Sequence, residues 1–197
     1  MSSNSNNTGN PSACPVAPSE RLEFRRITAD DFGLVASTLQ NAEVARIWTH
    51  EFSDGDVRAW IERRLTEYRE PADGSTGYLL ALRREDGAAV GQVGLLSEEI
   101  LGRRLLCVGY VLAEPFRGMG YATEGARAML DHAFRVLGAQ SVCADIRPEN
   151  LPSLAVADRL GMTRGESFVK HYRGRDLVHI LCEITREEYF EKFPANM

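Results

Sequence analysis

Residues 105 to 124 read Leu105-Leu-Cys-Val-Gly-Tyr-Val-Leu-Ala-Glu-Pro-Phe-Arg-Gly-Met-Gly-Tyr-Ala-Thr-Glu124, and this stretch decides the fold. Its first half is apolar at nearly every position, as expected of a strand covered on both faces. Gly109 inside that run predicts a bulge or the close approach of another group to the backbone. The second half is a glycine-bearing loop that opens into a helix, whose apolar positions Ala122, Ala126, Met129, Leu130, Ala133, Phe134 and Leu137 recur at helical spacing until Gly138. The first N–H groups of a helix have no partner within it, and the macrodipole adds partial positive charge, so such a loop is a prepared seat for a pyrophosphate. Gly118 and Gly120 let the backbone approach the oxygens, and Arg117 supplies charge.

Working outward, Tyr78–Leu82 and Ala89–Leu95, separated by an Asp86-Gly87 turn, precede the central strand as an antiparallel meander. Further upstream, Leu22, Phe24 and Ile27 mark a first strand. Thr28-Ala-Asp-Asp31 caps a helix carrying Phe32, Val35, Ala36 and Leu39. Ala45–Phe52 is expected to be an aromatic-bearing loop, with Trp48 as packing or substrate contact, and a helix from Ser53 to bury Val57, Trp60, Ile61 and Leu65. Downstream come a strand at Ser141–Ile146, a short helix at Pro152–Leu160, and a strand pair, Phe168–Tyr172 and Leu177–Ile184, around Arg173-Gly-Arg-Asp176. A meander followed by alternating helices and strands is α+β. Residues 1–20, rich in Ser, Asn, Pro and Gly, are expected to form a flexible tail, and residues 21–197 a single domain.

The chain has 197 residues, 44% apolar and 26% charged, an ordinary globular composition. With 28 acidic and 23 basic side chains its formal charge is −5, the wrong sign for a protein that neutralises nucleic-acid phosphates. Cys14, Cys107, Cys143 and Cys182 form no C-x-x-C pair, so no metal site is expected, and the three in apolar runs, read as free thiols, suit a reducing cytoplasm. No stretch reaches the roughly 20 apolar residues of a membrane span.

The glycine loop fits neither common phosphate motif: no Lys follows for G-x-x-x-x-G-K-[ST], and Thr123 stands where G-x-G-x-x-G needs its third glycine. Arg117-Gly-Met-Gly-Tyr-Ala122 instead resembles the [RQ]-x-x-G-x-[GA] acyl-CoA loop of the GNAT superfamily of N-acetyltransferases. Arg147-Pro-Glu-Asn-Leu-Pro-Ser153, Arg159-Leu-Gly-Met162 and the Arg173–Asp176 turn follow in order and look like its ribosomal-protein-alanine (RimJ/RimL-like) branch. The resemblance implies a mixed central sheet with splayed central strands flanked by helices, and acetyl-CoA as cosubstrate. Main-chain groups of Tyr110, Val111 and Leu112 would pair with pantetheine, amides from Arg117, Gly118, Met119, Gly120, Tyr121, Ala122 and Thr123 would hold the pyrophosphate, and Asn150 would bond pantetheine or cap the helix after it.

Acetyl transfer needs a neutral amine, donors for the developing oxyanion and a proton for the thiolate. The resemblance assigns the oxyanion donor to the Val111 N–H and places Ser153 near the sulfur. The family's strand carboxylate falls on Cys107 and its tyrosine acid on Ala157, so neither usual residue is present. His171 occupies the place of an ionisable side chain that deprotonates the amine, with Glu98 and Glu99 as carboxylate alternatives and His50, His132 and His179 behind them. The resemblance implies a primary amine as acceptor, a protein N-terminus or a small, aminoglycoside-like amine, and admits a homodimer. An acyl-CoA-binding module without turnover and a generic nucleotide binder are the rival functions.

Overall fold

The computed structural model describes residues 14–71 and 74–194. Seven strands form one sheet in the order β1-β2-β3-β4-β5-β7-β6: β1 Leu22–Arg26, β2 Gly77–Arg83, β3 Ala89–Ile100, β4 Arg103–Leu112, β5 Ser141–Ile146, β6 Thr163–Tyr172 and β7 Arg175–Thr185. Among the described residues six α-helices flank it: α1 Phe32–Leu39, α2 Ala42–Trp48, α3 Asp54–Arg69, α4 Tyr121–Asp131, α5 Leu151–Leu160 and α6 Arg186–Lys192. Two apolar layers cover the faces. Met129, Leu130 and Phe134 of the α4 side pack with Leu79, Val93 and Val108, while Val35, Leu39, Val57 and Ile61 of α1 and α3 pack with Leu80 and Val111. The fold is α+β, one mixed sheet with helices on both faces.

The sheet changes character at one junction. β3 and β4 pair without interruption from Gly91↔Leu112 to Ile100↔Arg103, whereas parallel β4 and β5 share a single register pair, Cys107↔Cys143. Beyond it β5 continues along β7, with Asp145↔Leu181 and Ile146↔Ile180, so the two central strands part. Gly109 lies at the fork, where a side chain would run into the Tyr78 hydroxyl. This explains a glycine in an otherwise apolar strand.

Several elements differ from the sequence expectations. The first half of the loop expected at 45–52 is helix: Asn41 caps α2 by accepting the Val44 N–H at 3.1 Å, and Thr49 ends it with φ +52°. β3 extends through Glu98 and Glu99, because Leu106 to Arg103 continue the ladder past Leu95. The last turn of the long helix widens into a π segment at His132–Val136. α6 had no counterpart in the pattern reading, although Thr185 and Glu188 form a reciprocal capping box at its start. Of the expected tail, residues 1–13 lie outside the described residues. From Cys14 the chain is packed: Val16 is buried, and the Ser19 hydroxyl donates to Glu124 at 2.7 Å.

The cysteines require a correction. Cys107 and Cys143, facing each other with Cα atoms 4.5 Å apart, are joined as a disulfide, while Cys182 is a buried free thiol. The inference from apolar free thiols to a reducing compartment therefore loses that pair. Among the described residues no helix is long and apolar enough to cross a membrane, and no cluster of His, Cys, Asp and Glu is placed to hold a metal.

Candidate active site

Two cavities meet at the fork. The larger, about 1520 Å³, runs between the open edge of β4, the start of α4 and one face of α5. The turn before α4 is set by Gly118 and Gly120, at φ +74° and +85°, a conformation that L side chains reach only at a cost of roughly 1 kcal/mol or more. A Cβ on Gly118 would meet nothing within 4 Å, so this glycine serves the backbone path and not internal packing. No side chain caps α4, and its first intrahelical bond here is Glu124 N–H to Gly120 at 3.0 Å. The amides of Ala122 and Thr123 therefore stand at a positive helix end beside the cavity, which fits a diphosphate.

Arg117, expected at the phosphates, lines the larger cavity with its guanidinium already engaged by protein groups. Its guanidinium donates to Glu43 at 2.7 Å, to the Asn41 carbonyl at 2.8 Å and to the Leu112 main-chain oxygen at 3.2 Å, fastening α2 to the end of β4. Arg21 braces the loop from the other side, donating to Met119 O at 3.2 Å and lying 4.4 Å above the Tyr121 ring.

The Val111 N–H also needs reassignment. In an antiparallel ladder, residues that bond the neighbouring strand alternate with residues that face away. Ala113 N–H bonds Val90 O at 3.0 Å, so the Gln92↔Val111 pair two positions earlier bonds inward to β3. The main-chain groups on the open side are those of Tyr110 and Leu112, consistent with Leu112 O accepting Arg117.

Of the remaining expected cofactor residues, Tyr110, Leu112, Gly118, Gly120, Ala122, Thr123, Asn150 and Ser153 line the larger cavity. Met119 and Tyr121 do not: Met119 is exposed and Tyr121 is buried against Phe116. Asn150 caps α5 by accepting the Ser153 N–H at 3.3 Å, while still lining both cavities. Tyr110 lies at the junction as well, its phenol donating to the Ser153 carbonyl at 3.4 Å; burial pushes its pKa up to about 12, so it stays protonated at neutral pH.

The smaller cavity, about 510 Å³, lies on the far side of the fork. One wall is a stripe of α3, Trp60, Arg63, Arg64, Glu67 and Glu70, at helical spacing. Sequence reasoning took this helix for core alone; Arg64, buried against the Trp60 and Tyr78 rings at 4.7 and 5.4 Å, was the missed signal. The Trp60 indole is fixed by its N–H bond to buried Gln92 at 2.9 Å. The roof is a clasp between α2–α3 and the β6–β7 turn: Trp48 packs edge-on to Tyr172 at 5.7 Å, and Arg173 pairs with Asp56.

The opposite wall carries Glu98, Asp145, Lys170 and His179. Lys170 Nζ lies 3.0 Å from Glu98 and 2.9 Å from Asp145, and His179 Nδ1 lies 3.0 Å from the same Asp145 oxygen. Burial would raise the Asp145 pKa, but His179 and Lys170 outweigh it and hold the carboxylate below its ordinary range. For Lys170, burial is likewise outweighed by Asp145 and Glu98, and the ammonium is held above its ordinary range. His171 joins neither cavity: its side chain is 79% exposed at the hairpin tip and pairs with Asp176.

A sheet forked beside an uncapped helix entrance, with a long cleft on one side and a compact pocket on the other, is the arrangement that the sequence resemblance implied. The chain belongs to the acetyltransferase (GNAT) domain family, which it matches over residues 21–163. It is 26% identical over 152 residues to the uncharacterized N-acetyltransferase YnaD of Bacillus subtilis, covering 77% of this chain and 84% of that protein. A GNAT-family acetyltransferase from Bacillus anthracis shares the fold with a TM-score of 0.72 at 22% identity, covering 87% of this chain and 99% of that one. A protein from Vibrio cholerae described as a putative ribosomal-protein-serine acetyltransferase superposes with a TM-score of 0.70 at 22% identity, covering 85% and 95%.

Proposed function

We propose that this acetyltransferase moves the acetyl group of acetyl-CoA to the primary amine of a small molecule held in the compact cavity, by direct attack at the fork. The observation that carries this reading is that Tyr110, Asn150 and Ser153 line both cavities, so the two substrates meet along one short edge. When bound, acetyl-CoA supplies an acyl group activated as a thioester. The first-turn amides of α4 hold its diphosphate, the Asn150 side-chain NH₂ donates to pantetheine, and open-side groups of Tyr110 and Leu112 pair with the pantetheine amides. The N–H groups of Tyr110 and Leu112 also face the negative charge that grows on the carbonyl oxygen. As the C–N bond forms and the C–S bond breaks, the Ser153 hydroxyl, on the residue whose carbonyl Tyr110 holds, is the donor at the sulfur.

The acceptor class follows from the walls. A pocket of this size suits a drug-sized molecule, and the clasp over Trp48 and Tyr172 closes the side by which a folded protein would present its N-terminus. The aromatic surfaces of Trp48, Trp60, Tyr78 and Tyr172 favour an acceptor with a flat or apolar body.

Thiol release from acetyl-CoA, measured with a panel of small amines and N-terminal peptides, tests the reading. Turnover with small amines and none with peptides is the expected result. Saturable acetyl-CoA binding with no thiol release from any amine would make the chain an acyl-CoA-binding module. Equal thermal stabilisation by ATP or NAD would make the cradle a generic nucleotide site.

A further inference from the structure

We propose that His179, standing beside Asp145 and Lys170 on the wall of the compact cavity, is the base that takes the proton from the acceptor amine. This rests on the transfer reading above and assigns a step that the family's missing strand carboxylate leaves without an owner.

The geometry is specific. His179 stands on β7 facing the compact cavity, with its side chain 13% exposed and its ring 5.9 Å from that of Phe168. Nδ1 is buried 3.0 Å from the Asp145 carboxylate, outside hydrogen-bond alignment, and Nε2 is the ring nitrogen left to a ligand. Lys170 touches the same Asp145 oxygen and is itself shared with Glu98, so an ammonium and two carboxylates form one cluster that His179 joins through Asp145.

The step balances simply. An amine N–H proton passes to His179 Nε2 as the C–N bond forms, the electron pair of the C–S bond leaves with sulfur, and the thiolate collects a proton at the Ser153 hydroxyl. His179 then returns its proton to solvent. The other histidines are placed elsewhere: His171 is at the hairpin tip, His50 pairs with Asp56 at 3.2 Å, and buried His132 is in the π segment of the α4 extension.

The test combines kinetics with a titration that needs no turnover. His179→Gln should lower kcat about 100-fold, with acetyl-CoA affinity within two-fold of wild type and the acidic limb of the kcat/KM profile abolished. The chain has only 4 histidines, so the His179 imidazole resonance is identified in NMR spectra by its loss from this variant. Lys170→Met should move its titration to higher pH, and Asp145→Asn to lower pH, by about one unit each. The acidic limb of kcat/KM should move with it. A His179 resonance that titrates alike in all three backgrounds, or a His179→Gln enzyme with wild-type kcat and an unmoved limb, overturns the proposal. Absence of wild-type turnover would refute the transfer reading instead, and the paired NMR shifts would still establish the coupled triad.

Discussion

The Tyr110 phenol donates to the main-chain carbonyl of Ser153 at 3.4 Å, tying the parted end of β4 to the first turn of α5. This single contact spans the gap where the two cavities join. Tyr110→Phe keeps the ring and deletes the donor. We expect kcat to fall about ten-fold with little change in acetyl-CoA affinity, read by steady-state kinetics beside isothermal titration. An unchanged kcat would remove Tyr110 from the support of Ser153.

The pyrophosphate seat depends on the left-handed turn at Gly118. Gly118→Val places a β-branched residue at φ +74° where nothing obstructs it sterically, so the cost falls on backbone conformation. The acetyl-CoA KM should rise at least ten-fold, while the melting temperature drops by only a few degrees. Equal loss in both would mean that the loop is a folding element and not a cradle.

Arg117 separates two roles. Because its guanidinium is engaged by Glu43, Asn41 and Leu112, Arg117→Ala should loosen α2 and raise the acceptor KM several-fold. The salt dependence of acetyl-CoA binding should keep its wild-type slope. A flattened slope would restore Arg117 to the phosphates.

Asp31 provides a stability test distant from the site. The bidentate bond from Arg25, both arms 2.7 Å, lowers its pKa to about 2 from 3.8, with Thr28 adding to the shift. A depressed carboxylate stabilises the fold above its unfolded pKa, and that contribution is lost as pH falls from about 4 through about 2. Asp31→Asn should cost about 2 kcal/mol at pH 7 in urea unfolding, and the deficit should shrink towards pH 2. A deficit that persists at low pH would assign it to packing.

Much of the architecture was readable along the chain, because periodicity survives wherever an element buries one face. The central strand, the long helix and the glycine loop all carried such marks, and the loop's likeness to the acyl-CoA motif brought the family with it. What escaped depends on geometry that no local pattern records. Val111 was taken as an oxyanion donor because the strand was visible but its hydrogen-bonding parity was not. Parity follows from the Ala113–Val90 bond, a relation between distant residues. His179 and Lys170 lie on adjacent antiparallel strands, and Asp145 on a third, so only the register brings them together. His171, chosen by sequence position, is carried to the outside by the same hairpin. α2 was hidden for a different reason: a seven-residue helix offers too little periodicity to outweigh its aromatic content.

The compact cavity takes its distinguishing walls from α3 and the β6–β7 hairpin, neither of which touches the diphosphate seat. On the proposed reading, donor recognition and acceptor recognition are thus written on separate segments that share only a short seam. Such a division lets lineages exchange one amine for another by editing a helix stripe and a hairpin tip, while the machinery that grips the thioester stays untouched.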